Sequence, residues 1–408
     1  MKKLFFVSAG CILVAQIFSV VAYSLVPSLK ALLLDTSGAT AAQIALIGTT
    51  LPMLFGLVLT PIIGIASDRL RTRFGRRKPF LMLSAPFVFL ALLAIGWHDA
   101  LPFGSHLAVL GGALLMFHLF ALIPEGVIYY LIADAIPAEF MGRFYGVNAS
   151  VSTLFAALFS WFCLDYSVKT PKIAVIIFGA LYLVVFFGIL PWIKEQKEYS
   201  EAQRCPFVPL DFAKETFGQK VFLCMFLCGG LNQASSVLRT MFTLLFATKD
   251  LGLTTELIGK IGGAGAVLAL PAMLICGAMI DRFHPYKVYL SGSIAVILAS
   301  LAGYFCINGA MSYTIFALLT CAAYAVQGTA YAPLLMRIFP KERYGQFYSV
   351  NSIVCTLIVI AASAIGGKAT DILGYRIIFL WDFAFTTLAT IILVRGVRKL
   401  EIAATTRP

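Results

Sequence analysis

Charge is what this sequence has least of. Only 12% of its 408 residues are charged and only 19 are acidic, whereas about a quarter of a soluble domain is charged. With 60% apolar residues, such a chain cannot cover a water-facing surface, so a soluble globule is excluded. Histidine is rare as well. The four histidines and nine cysteines form no C-x-x-C pair and show no ligand spacing, so neither a metal site nor a disulfide framework is implied. No G-x-x-x-x-G-K-[ST] loop occurs, which argues against direct coupling to ATP. No G-x-S-x-G or similar constellation suggests chemistry on a bound molecule, so no cofactor and no enzymatic activity are expected.

Apolar length is what the chain has in excess. A helix that crosses a bilayer needs about 20 mostly apolar residues. Twelve such runs can be laid out, at 5–29, 44–67, 79–97, 107–133, 144–165, 173–193, 221–246, 256–280, 287–307, 312–336, 350–367 and 376–395. Lys and Arg concentrate in cytoplasmic loops, which orients the set. With the N-terminus inside, 23 cations fall in cytoplasmic segments. The outer loops hold 7 (Lys30, Lys169, Lys172, Lys249, Lys260, Lys368 and Arg376), and Arg239 lies within a span. The net charge of +12 therefore reads as membrane topology, and no separate basic domain exists to carry nucleic acid. The expected class is an all-α membrane protein with twelve transmembrane helices and both termini cytoplasmic.

The chain also repeats itself. Pro137 to Leu154 reads P-A-E-F-M-G-R-F-Y-G-V-N-A-S-V-S-T-L, and Pro340 to Leu357 reads P-K-E-R-Y-G-Q-F-Y-S-V-N-S-I-V-C-T-L. At this constant offset Pro, Glu, Gly, Phe-Tyr, Val-Asn, Val and Thr-Leu coincide, which marks an internal repeat. A weaker echo pairs Gly64-Ile-Ala-Ser-Asp68-Arg69 with Gly277-Ala-Met-Ile-Asp281-Arg282. The halves are expected to be six-helix bundles: 1–193, then a polar cytoplasmic linker at 194–220, then 221–408 with a short cytoplasmic tail. Parallel repeats of this kind place a binding site at their shared interface near the bilayer midplane.

Between the second and third runs lies G-I-A-S-D-R-L-R-T-R-F-G-R-R-K-P-F, Gly64 to Phe80. One carboxylate, Asp68, faces six cations there: Arg69, Arg71, Arg73, Arg76, Arg77 and Lys78. Ion pairs of Asp68 with a neighbouring Arg, or with a helix dipole, would hold one gating conformation until transport breaks them. A simple topology anchor is the bland alternative, but it does not require Gly64, Asp68, Gly75 and Arg76 at this spacing.

The pattern G-x-x-x-D-R ending in G-R-R resembles the loop between helices 2 and 3 of the major facilitator superfamily, and the twelve-span repeat extends that resemblance over the whole chain. Within it, S-D-R-L-R-T-R-F-G-R-R-K-P-F looks most like the sucrose:proton symporters and their bacterial relatives, near the glycoside-pentoside-hexuronide:cation symporters. The resemblance implies a monomeric secondary transporter in the cytoplasmic (inner) membrane. It would carry a sugar or glycoside with protons by alternating access, the bilayer being its other partner.

Polar groups inside spans are costly and usually face a cavity or a partner. His118 and Glu125 are seven residues apart, two helical turns, and so share a face with Leu122 and Tyr129. Glu125 is the candidate proton carrier. His118 either tunes it, binds solute, or is a packed hydrogen-bonding residue. The resemblance implies that His118 falls near the position at which the sucrose symporters carry their coupling carboxylate. Asn232, Gln233 and Arg239 interrupt the seventh run, where Arg239 could clamp an anion or pair with a carboxylate such as Asp382. Gln16, Tyr23, Tyr129, Tyr324, Gln327 and Tyr331 add the amide, hydroxyl and aromatic groups that a sugar site uses, although each Tyr alone could simply pack.

The leading reading is proton-coupled sugar or glycoside symport. The alternatives are an organic-anion transporter using Arg239, an uncoupled facilitator, and a non-transporting assembly or binding protein. The gating set is Gly64, Asp68, Arg69, Gly75, Arg76, Arg77, Asp281 and Arg282. Asp68→Asn is expected to slow transport while sparing solute affinity. Uptake rates and equilibrium binding measured on one preparation check this, and an unchanged rate would reduce the loop to an anchor.

Overall fold

The structure is a computed structural model that describes residues 2–70, 72, 75, 77–100, 105–136, 138–193, 217–339 and 344–405. Lipid offers no hydrogen bonds, so a segment that crosses it must satisfy its backbone internally, and helices do so. Among the described residues, twelve helices are long and apolar enough to cross a membrane. They are α1 (Val7–Thr36), α2 (Ala41–Ile63), α3 (Lys78–Gly96), α4 (His106–Ile128), α5 (Val147–Lys169), α6 (Pro171–Trp192), α7 (Lys220–Asp250), α8 (Thr255–Ile280), α9 (Pro285–Cys306), α10 (Ala310–Ile338), α11 (Phe347–Leu373) and α12 (Ile377–Gly396). Large apolar side chains such as Phe162, Val184, Leu274, Met311 and Ile372 stand exposed, which suits lipid and not water.

Each expected run finds its helix, with ends that move. The largest shift is in α1, which continues to Thr36 and so takes Lys30 out of the outer loop where its charge had placed it. Lys30 lies half-buried inside the helix and donates from Nζ to the Gly48 carbonyl at 2.7 Å. Its stem runs along Gly48 as it does so, the way long cationic side chains bury methylenes and satisfy their heads. Gly48 lies in a π-helical turn, Leu46–Thr50, at the start of α2.

Two compact units emerge: Met1–Tyr199 with Thr254–Val267, and Ser200–Leu253 with Leu268–Pro408. Within the first, α1 packs on α4, α5 and α6, α3 on α4 and α6, and α2 on α4. Within the second, α7 packs on α11 and α12, and α9 on α10 and α12. Adding six to each helix number turns α1–α5, α1–α6, α3–α4 and α3–α6 into the four pairings named for the second unit, so the sequence repeat is also a packing repeat.

The first half of α8 belongs to the first unit, a division finer than one boundary per half. Glycines explain it. A Cβ on Gly259 would meet the Ser160 carbonyl of α5 at 2.5 Å, and one on Gly262 would meet Ser160 Oγ at 2.7 Å. Small residues permit such close backbone approach. Ser160 Oγ donates to the Gly259 carbonyl at 3.1 Å, and Thr255 Oγ1 donates to Asp165 Oδ1 at 2.5 Å.

The second unit's core clusters Phe222, Phe226, Phe339 and Phe347 around α7. Beside it, Tyr331 of α10 presses its hydroxyl against Gly229 of α7, leaving no room for a Cβ. Gly229→Ala is therefore expected to cost about 1–3 kcal/mol by overpacking. Thermal unfolding in detergent reads that cost, and Tyr331→Phe in the same chain should recover most of it.

Candidate functional site

Each unit builds a polar pocket from its own first and fourth helices. In the first unit a cavity of about 770 Å³ is lined by Gln16, Ser19, Val20, Tyr23, Ser24 and Pro27 of α1, Pro124, Glu125 and Ile128 of α4, and Ala156, Phe159 and Ser160 of α5. The α1 residues recur at three- and four-residue steps, the spacing of one helix face. Pro27 and Pro124 lack an N–H, so the carbonyls of Tyr23 and Phe120 lose their helical donors at the level of the cavity. Glu125 is exposed to this cavity, and among the described residues its carboxylate makes no hydrogen bond or ion pair. Gln16 Oε1 and Tyr23 Oη are buried without hydrogen-bond partners among the described residues, and the Tyr23 ring rests on Phe117 at 6.0 Å and Tyr182 at 6.4 Å. The cavity therefore offers an unpaired carboxylate on a wall that also carries the Gln16 and Tyr23 side chains, whose Oε1 and Oη are themselves buried.

His118 is not among the residues that line it. The spacing puts His118 on Glu125's face, but two turns back toward the N-terminal end of α4 that face has left the cavity. Its ring packs edge-on against Phe117 at 5.6 Å, and Nε2 is buried with no hydrogen-bond partner among the described residues. Tyr129 belongs to the same helix, with its side chain outside the described residues.

In the second unit a pocket of about 270 Å³ is lined by Gly229, Asn232, Gln233, Ser236, Arg239 and Thr240 of α7, Tyr289 of α9, and Tyr324, Gln327, Gly328 and Tyr331 of α10. Here the polar groups are cross-linked. Gln327 Nε2 donates to Asn232 Oδ1 at 3.1 Å and to Ser293 Oγ at 2.9 Å. Asn232 Nδ2 donates to the Tyr289 hydroxyl, and the Tyr331 hydroxyl donates to Asn351 Oδ1 at 3.2 Å. Asn351 is the asparagine of the repeated Val-Asn, and its counterpart Asn148 is also buried.

Arg239 meets Asp382 of α12, with Nε 3.7 Å from Oδ2, and its guanidinium lies 3.8 Å over the Tyr324 ring. The Tyr324 hydroxyl donates in turn to both carboxylate oxygens of Asp382. The charge buried in this helix bundle is thus neutralised where it stands, as its cost in a membrane demands.

The charged loop is described only in part. Gly64, Asp68 and Arg69 lie on the helix Leu51–Arg69, but their side chains are outside the described residues, as are Arg76 entirely and the Asp281 side chain. Gly75 has φ +110°, a conformation that favours glycine. Arg77 is buried and donates from Nη1 to Ser67 Oγ at 2.5 Å, so one loop cation is tied to the end of the preceding helix. Arg282, the second half's counterpart of Arg69, is exposed.

Sequence reasoning named Gln16, Tyr23, Glu125, Asn232, Gln233, Arg239, Tyr324 and Gln327, and all of them line one pocket or the other. It missed Ser19, Ser24, Ser236 and Thr240, which line the same faces of α1 and α7. The signal was available in part: Ser19 and Ser236 stand three or four residues from polar residues already chosen, whereas Ser24 and Thr240 are adjacent to Tyr23 and Arg239.

The sequence profile of the Major Facilitator Superfamily matches residues 12–363 and 235–406. Among solved structures, the chain resembles a bacterial homolog of the human lysosomal transporter Spinster in an inward-facing, occupied conformation. That match has a TM-score of 0.75 at 13% identity and covers 96% of each chain. It also resembles the nucleoside transporter NupG, with a TM-score of 0.72 at 13% identity over 95% of this chain and 98% of that one. A D-xylose-proton symporter matches with a TM-score of 0.67 at 15% identity, covering 95% and 96%. At such identities the likeness is one of fold: twelve helices in two six-helix bundles. With most of its length matched by the family profile, the chain belongs to the major facilitator superfamily and is a multi-pass membrane transporter of small solutes, not an enzyme.

Proposed function

We propose that the protein is a proton-coupled symporter of a sugar or glycoside, working as a monomer by alternating access. In this reading it resides in the cytoplasmic membrane with both termini inside. Its N-terminal bundle runs through residue 193, a cytoplasmic linker occupies 194–220, and the C-terminal bundle begins at 221. The observation that carries the reading is Glu125: a carboxylate open to a cavity of about 770 Å³, unpaired among the described residues, within a helix that crosses the membrane. A carboxylate that reaches solute and water without a fixed counter-ion can take up and release a proton as its surroundings change. A group locked in an ion pair cannot do so as readily.

The remaining lining supports a polyhydroxyl solute. Gln16, Tyr23, Asn232, Gln233, Tyr324 and Gln327 offer neutral donors and acceptors beside aromatic surfaces. The organic-anion reading has less support, because its cation, Arg239, already holds Asp382. An uncoupled facilitator would need neither Glu125 nor any carboxylate on the cavity wall. A non-transporting assembly protein would have little use for open, polar-lined pockets in both units.

Glu125→Gln separates these readings. In proteoliposomes with a one-unit pH gradient, one proton per sugar sustains an accumulation ratio of up to about tenfold. The variant is expected to lower that ratio to about one while counterflow of labelled sugar and binding persist. Undiminished accumulation would remove Glu125 from the coupling role.

A further inference from the structure

Proton coupling through Glu125 leaves the second unit's buried carboxylate, Asp382, without a task. Asp382 is 1% exposed and stands behind the pocket, not on its wall. Every charged or titratable group that the structure places against it contributes to its satisfaction. The Tyr324 hydroxyl donates to both oxygens, Ser300 Oγ donates to Oδ2 at 3.1 Å, and Thr386 Oγ1 donates to Oδ1 at 3.4 Å. Arg239 supplies the opposite charge, with Nε 3.7 Å from Oδ2. Three hydroxyls converge on Asp382 as donors while the guanidinium supplies the opposite charge without a hydrogen bond from Nε, an arrangement suited to a permanent counter-ion.

Arg239 is the residue that connects this cluster to the solute. It lines the pocket on one side, stacks on Tyr324, and keeps Asp382 at its back. A guanidinium has five N–H donors in a fixed fork, and Asp382 does not engage all of them. The N–H groups left over can serve sugar hydroxyls without disturbing the charge balance. A solute carboxylate would form its own charge-assisted bonds to Arg239, but it would bring a second negative charge into a buried site that already contains one.

We infer that Asp382 is a specificity-determining residue: by neutralising Arg239 from behind, it makes the pocket of the second unit select neutral polar solutes over carboxylates. This deepens the sugar-transport reading and rests on its assignment of that pocket to solute. It is distinct from the proton-carrying role of Glu125, because Asp382 acts on the solute only through Arg239 and is a positioning residue.

The test uses full-length protein in detergent and calorimetric titration with four probes: D-glucose, sucrose, D-glucuronate and acetate. The proteins are wild type, Asp382→Asn, and the double variant Arg239→Gln/Asp382→Asn. With Asp382 neutralised, Arg239 is an uncompensated cation at the pocket wall, so D-glucuronate and acetate should bind Asp382→Asn about tenfold or more tightly than wild type. The double variant should lose that gain and return to the wild-type order of preference. Carboxylate affinity unchanged between wild type and Asp382→Asn would overturn the inference. So would a gain that survives removal of Arg239.

Should Asp382→Asn fail to fold, the double variant still decides, since it leaves no charge buried there. A wild type that prefers carboxylates, with the preference lost in the double variant, would overturn the inference; matching neutral preferences would support it. Absence of neutral-sugar binding in wild type, with the carboxylate gain intact, would reject the sugar reading and leave the role of Asp382 standing.

Discussion

A charge inside lipid must have a partner or water, and this constraint governs the protein from its composition to its pockets. It leaves few ionisable groups in the spans and decides what each of them does. Lys30 runs along α1 to reach a carbonyl in the π-helical turn of α2. Arg239 finds Asp382 and the face of Tyr324. Glu125 takes the other solution and opens on a cavity instead of a partner. The same constraint satisfies the backbone through helices and confines the departures, prolines and π-helical turns, to places where a side chain or a cavity can compensate.

The two halves share a packing scheme but have diverged in chemistry. Each makes a pocket from its first and fourth helices, with lining residues that step along one face. In the first unit the pocket is large and the Glu125 carboxylate is left open, while Gln16 Oε1 and Tyr23 Oη are buried with no hydrogen-bond partner among the described residues. In the second it is smaller and its polar groups bind one another through Gln327, Asn232 and Tyr289. The register of the repeat sets Gly328 where the first half has Glu125, so among the described residues the unpaired pocket carboxylate has no counterpart in the second unit's pocket. In the proposed reading, the open carboxylate of the first half would exchange protons and the cross-linked pocket of the second would recognise solute.

Much of the fold was legible because membrane helices announce themselves through long apolar runs, and all twelve stood near their expected places. Lys30 was misplaced because a run of apolar residues ends, on paper, at the first charge, while a lysine stem can continue the helix if its ammonium finds a carbonyl. The pairing of His118 with Glu125 depended on helical spacing, which fixes angular position but not how far along a helix a cavity extends. Ser19, Ser24, Ser236 and Thr240 escaped notice because hydroxyls in spans usually bond back to their own helix, as Ser19 and Ser24 in fact do. The membership of the first half of α8 in the first unit rests on close approach at Gly259 and Gly262, which no pattern within one helix could reveal.

The most direct test of Glu125 as the unpaired, proton-carrying carboxylate is the proton flux itself. Purified protein is sealed in liposomes holding a pH dye and challenged with neutral sugars, glycosides, hexuronates and simple carboxylates in turn. Acidification of the lumen on addition of a neutral sugar, absent when Glu125 is changed to Gln, is the expected result. Labelled sugar entering with no accompanying proton movement would contradict it and make the protein a facilitator.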